Sequence, residues 1–178
     1  MKSFIALFRG INVGGTGILP MKHLVGILES LGLQQVRTYV QSGNAVFRSA
    51  EADPSRISGR IRTEISNQFG FEPQVLLLEP AEIQKALQSN PFPEAESEPK
   101  TLHLSFLASE PEKPDLEAME RVRTGSERFS LKGRVFYLHA PDGIGRSKLA
   151  ANIEKLLGVA ATSRNWRTVT KIMELASR

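Results

Sequence analysis

The chain has 178 residues, 40% of them apolar, with a net charge of +4 and no cysteine. That is enough apolar material for one domain or two small ones, and it excludes disulfide frameworks, thiolate catalysis and thiolate metal sites. The apolar run after Met1-Lys2-Ser3 is too short for a secretory or transmembrane segment, so a cytoplasmic protein that does not enter membranes is expected.

Phe4-Ile5-Ala6-Leu7-Phe8 reads as a first strand that runs into Arg9-Gly10-Ile11-Asn12-Val13-Gly14-Gly15. Leu24, Ile27, Leu28 and Leu31 then recur at helical spacing up to Gly32, and Val36, Thr38 and Val40 alternate as a strand does. Ser42-Gly43-Asn44 reverses the chain before Ala45-Val46-Phe47, which predicts an antiparallel hairpin and argues against a parallel dinucleotide fold. Asp53-Pro54 caps a helix lined by Ile57, Ile61, Ile65 and Phe69 and stopped at Gly70; Val75 to Leu78 is the next strand, and Glu79-Pro80 opens a short helix with Ile83 and Leu87. Ser89-Asn90-Pro91-Phe92-Pro93 and the acidic stretch to Lys100 break the periodicity, as a linker does.

Beyond it the same order returns. Leu102, Leu104 and Phe106 alternate; Leu116, Met119 and Val122 have helical spacing; Phe129 and Leu131 precede a turn at Lys132-Gly133-Arg134 and a strand at 135–138. Leu149, Ile153, Leu156 and Leu157 mark a helix stopped by Gly158, with a short last strand expected near 159–162 and a terminal helix burying parts of Trp166, Val169, Ile172, Met173 and Leu175. The expected fold is α+β, a tandem duplication of ferredoxin-like βαββαβ halves with an extra C-terminal helix. Its parts would be residues 1–90, a linker at 91–100, and residues 101–178.

Charge is uneven along the chain. Residues 94–120 carry two basic and eight acidic side chains, whereas 121–178 carry twelve basic and four acidic ones. A basic final third favours an anionic ligand, nucleic acid or an acidic partner.

Four polar segments are candidate sites. Arg9, Asn12, Gly14 and Gly15 lie in a loop whose backbone can approach a ligand, although it has neither the Gly-Lys-Ser/Thr ending of a Walker loop nor the third glycine of a dinucleotide fingerprint; a loop that needs glycines for its own path, with Asn12 bonding backbone, is the alternative. Gln41 and Asn44 flank the first hairpin turn, where they could read a ligand's polar edge or satisfy the turn itself. Gly145, Arg146, Ser147 and Lys148 open the Leu149 helix, where free N–H groups and two cations suit phosphate; a plain capped helix start is the rival. Arg164, Asn165 and Trp166 combine a cation with the sole tryptophan, which suits base stacking or the anchoring of the terminal helix. Lys132-Gly133 with Phe136 only partly matches the base-stacking strand of RNA-recognition domains. His23, His103 and His139 lack metal spacing, and no metal or cofactor is expected.

Taken in order, Arg9 to Gly15, Thr38-Tyr39 with Gln41 to Asn44, Asn90-Pro91-Phe92, Gly145 to Lys148, and Arg164-Asn165-Trp166 with Thr168 closely resemble the bacterial family catalogued as domain of unknown function 1697. The resemblance covers almost the whole chain, and the one small departure is Ser163, where members often have alanine. It implies a cytoplasmic α+β protein with a repeated ferredoxin-like architecture, and brings with it no established activity, substrate or cofactor. The residues themselves therefore point to a binding module for nucleic acid, a nucleotide or another phosphorylated molecule, with a site joining the first loop, the Gly145 helix start and Arg164-Asn165. Two alternatives stand beside it: an enzyme on such a substrate, for which no general base is evident, and a protein interaction module.

Overall fold

A computed structural model describes all 178 residues, which fall into two units, residues 1–85 with 171–178 and residues 86–170. In the first, β1 (Lys2–Arg9) pairs antiparallel with β3 (Asn44–Ser49) on one side and β4 (Gln74–Leu78) on the other, and β2 (Gln34–Tyr39) lies outside β3. Strand alternation turns Phe4, Ala6 and Phe8 towards α1 (Met21–Ser30) and α2 (Pro54–Phe69), whose Leu24, Ile27, Leu28, Ile57, Ile61 and Ile65 complete the core. Fully burying each large side chain contributes about 1.5–3 kcal/mol. Asp53 caps α2 by accepting from the Ser55 and Arg56 N–H groups (2.9 and 3.5 Å), and Gly70 ends it at φ 72°.

The expected alternation through Val40 fails at its end. The strand stops at Tyr39, and Val40 sits in the left-handed region (φ 54°), 45% exposed, because the hairpin turn begins there. A β-branched residue at such a φ is strained, which only the surrounding turn can impose. Earlier in β2 a bulge intervenes: Gln34 faces Arg48, Arg37 faces Val46, and Gln35 between them has φ 53°.

In the second unit, β5 (Leu102–Leu107) is central, flanked by β7 (Val135–His139) and β8 (Ala161–Asn165), with β6 (Arg128–Lys132) outside β7. The two sheets therefore have the orders β2-β3-β1-β4 and β6-β7-β5-β8, both fully antiparallel. One face of the second is covered by α4 (Leu116–Val122) and α5 (Lys148–Leu157), through Met119, Leu149, Ile153 and Leu157 against Leu107, Phe136, Leu138 and Ala161. The last strand lies later than the expected 159–162, because residues 159 and 160 are used to leave the Gly158 cap; Ser163, Arg164 and Asn165 are ladder residues opposite Ser105, Leu104 and His103.

Helix α3 (Pro80–Gln88) crosses the first unit boundary and α6 (Trp166–Ala176) the second. Along α6, Trp166, Val169 and Ile172 are buried. The stretch expected as a linker holds a 3-10 turn (Pro93–Ser97) fastened within the second unit: Arg128 lies over the Phe92 ring and pairs with Glu94, and Asn90 bonds both the Phe92 N–H and Glu96. In all, the protein has two four-stranded antiparallel sheets and six helices.

Candidate functional site

The loop leaving β1 is built around Asn12. This residue is itself left-handed (φ 52°), its Nδ2 donates to the Leu19 and Gln41 carbonyls (2.8 and 2.9 Å), and its Oδ1 accepts from the Leu19 N–H (2.8 Å). Both donor positions and one acceptor position of the carboxamide are thus spent on backbone. Val13 to Thr16 forms a small hairpin whose turn residues, Gly14 and Gly15, are both left-handed (φ 59° and 75°) and exposed; Arg9, at the end of β1, is exposed too. The Arg9 guanidinium reaches Gln74 (3.3 Å).

The first hairpin turn is held to this loop. Gln41 offers its carbonyl to Asn12, and Gly43 (φ 84°) lies so close to Ile11 and Phe8 that a side-chain carbon there would collide with both. Asn44, only 1% exposed, donates to the Tyr39 carbonyl (2.9 Å), closing the turn. The sequence motifs around Asn12 and Gln41-Asn44 come together in the first unit, and the amides of Asn12 and Asn44 work as struts there.

In the second unit, the Gly145-to-Lys148 segment opens α5 as its spacing predicts. Ser147 is the N-cap, buried, accepting from the Ala150 N–H at 3.0 Å, while its own N–H bonds the Ile144 carbonyl. The N–H groups of Lys148 and Leu149 have no intrahelical acceptor at such a position, and the helix dipole adds positive potential. Arg146 and Lys148 are exposed, and neither side chain forms an ion pair or hydrogen bond. Asp142, in the same loop, accepts from the Ser126 hydroxyl at 2.6 Å.

Strand alternation separates Arg164 from its neighbour Asn165. Asn165 lies on the helix-covered face with Ser163 and caps α6, its Oδ1 accepting from the Thr168 N–H (2.9 Å). Arg164 faces the other side of the sheet, in register with Leu104 and Tyr137, and one of its N–H groups donates to the Ser163 carbonyl. Burial pushes its pKa down to about 10, which leaves it charged at neutral pH. Trp166, 8% exposed, is an anchoring side chain at the start of α6.

Sequence spacing did not disclose two features. Ile11 is fully buried inside an otherwise polar loop, and that single apolar residue is the only local hint of its contact with Gly43. The α-facing side of β5 and β8 carries a polar group, His103, Ser105, Ser163 and Asn165, where β1 and β4 of the first unit have Phe4, Ala6, Phe8, Val75 and Leu77. Ser105 and Ser163 share a hydrogen bond of 2.6 Å, whereas His103 Nε2 is buried without a partner and burial lowers that histidine's pKa. No set of three or more His, Asp or Glu side chains is placed to hold a metal, and no helix is long and apolar enough to cross a membrane.

Residues 1–137 match the family described as "Protein of unknown function (DUF1697)". Among solved structures, the fold is similar to that of the conserved bacterial protein SP0830 from Streptococcus pneumoniae, with a TM-score of 0.67, 24% identity, and 98% of each chain covered. No curated protein matches the chain.

Proposed function

The chain belongs to that family, whose description assigns no activity, and we propose from its own chemistry that it binds an anionic, phosphate-bearing ligand at the start of α5. The observation that carries the reading is the pairing of the α5 start, where the N–H of exposed Lys148 has no intrahelical acceptor, with two exposed cations, Arg146 and Lys148, that are in no ion pair. A nucleotide, a nucleic-acid backbone or another phosphorylated molecule offers the matching group. Because Asp142 is engaged by Ser126 and Ser147 by its capping bond, the loop is better suited to holding an anion than to moving a proton. The Asn12 and Asn44 carboxamides hold the first-unit loop in shape and are not needed as ligand contacts.

Titration with nucleotides and short oligonucleotides, followed by thermal shift, tests this reading. Binding should weaken in Arg146→Ala and Lys148→Ala. An oligonucleotide should show affinity falling linearly with log salt, the slope dropping by about one per lost phosphate contact. Unchanged binding in both variants would refute it. We also infer a tandem ferredoxin-like duplication with α6 added, supported by the shared βαββαβ order and matching sheet orders of the units. A cysteine-free chain is compatible with a cytoplasmic setting.

A further inference from the structure

The first unit has a second concentration of positive charge, away from every motif the sequence singles out. On the sheet face turned from α1 and α2, the last turn of α6 and the residues after it lie over β2, β3 and β1, leaving a cavity of about 230 Å³. Its polar lining includes Ser3, Gln35, Arg37, Arg48, Ser177 and Arg178, and no Asp or Glu takes part.

The bulge in β2 creates this arrangement. It inserts Gln35 between two paired positions, so that Arg37 faces Val46 while Arg48 faces Gln34 and, across β1, Ser3. Arg37 and Arg48 thus stand diagonally across adjacent strands on one face, close enough for two long side chains to reach a common point. Like charges so placed repel, and no acidic side chain lines the cavity; Glu174, on α6 outside the lining, lies within electrostatic reach of Arg178 alone of the three. Capping of the α6 end accounts for part of Arg37, whose Nη1 donates to the Leu175 carbonyl at 3.2 Å, but not for Arg48, which is exposed and makes neither hydrogen bond nor ion pair. Arg178 lines the same cavity from a third segment.

We propose that this cavity is an oxyanion site for the phosphate group of a small molecule, held by Arg37 and Arg48 with Arg178 at its mouth. Planar guanidinium forks match the oxygens of phosphate in pairs, and the Ser3 and Gln35 side chains offer further polar contacts. The volume lies below the roughly 300–1,000 Å³ of pockets that enclose drug-sized ligands, so the cavity takes a compact phosphate-bearing group and not a whole nucleotide. This site is independent of the α5 start and can exist with or without it.

Titrating the full chain with inorganic phosphate, while following the arginine side-chain N–H signals by NMR, tests the proposal. Saturable shifts of the Arg37 and Arg48 signals are expected, with affinity falling about tenfold or more in Arg48→Ala, the loss of one charge-assisted contact, and less in Arg48→Lys. Arg146→Ala should leave these shifts unchanged, so the α5 reading and this one fail separately. Ribose 5-phosphate binding as well as or better than inorganic phosphate identifies a phosphomonoester. Binding of inorganic phosphate alone identifies the free ion. A non-saturating response, an equal response to acetate, or unaltered affinity in Arg48→Ala overturns the proposal.

Discussion

Asn12→Asp is the sharpest probe of how the first loop works. Aspartate has the same shape and tolerates the same left-handed backbone (φ 52°), so the substitution leaves the chain path intact. The Oδ1 that accepts from the Leu19 N–H remains, but the Nδ2 that donates to the Leu19 and Gln41 carbonyls becomes a second oxygen. Two hydrogen bonds at a net 0.5–1.5 kcal/mol each make a loss of about 1–3 kcal/mol, and repulsion between the carboxylate and the two carbonyls adds to it. The same repulsion raises the new carboxyl's pKa in the folded state above its unfolded value of about 3.9. The folded variant then binds more protons than the unfolded chain, so its deficit is largest at neutral pH and shrinks as pH falls through the raised folded value. Urea unfolding of both proteins, at neutral pH and near pH 4, measures this directly. A variant as stable as the parent at neutral pH would refute the strut role, and loss of anion binding with stability retained would make Asn12 a ligand contact.

Three further outcomes are expected. Gly43→Ala should cost the left-handed penalty of about 1–2 kcal/mol plus about 1–3 kcal/mol of overpacking against Ile11 and Phe8, whereas Gly133→Ala, left-handed but in open space, should cost only the first part; hydrogen exchange in β3 and β7 distinguishes them, and equal losses would contradict the contact. Ser147→Ala should lower stability by about 1 kcal/mol through loss of the α5 cap, while Ser147→Asp should keep the cap and weaken phosphate binding by its charge, as calorimetry and ligand titration on the pair would report. Burial depresses the folded pKa of His103 below its ordinary value of 6.5, so the unfolded chain takes up the proton first and stability declines as pH falls below about 6.5 towards the folded value; His103→Leu should flatten that decline, leaving the share due to His139, and an unchanged pH profile would speak against a buried neutral His103.

Much of the architecture was legible in the sequence because it rests on interactions between residues a few positions apart. The three- and four-residue spacing of Ile57, Ile61 and Ile65 with Asp53 and Gly70 at its ends, the turn at Gly133, and Ser147 ahead of Leu149 each specify an element locally, and the structure has each of them. The repeated element order follows from the same signals. Tertiary structure alone decided the rest. Whether Asn12 holds a ligand or a loop depends on carbonyls 7 and 29 residues away, and the need for Gly43 comes from Ile11 in another segment. Strand register set Arg164 opposite Leu104 and Asn165 opposite His103, and a bulge in β2 that hydrophobic alternation does not announce set Arg37 beside Arg48. Local propensity fixes which way a side chain repeats along its own element, but which distant groups it meets is set by packing between elements, and a binding site consists of those meetings.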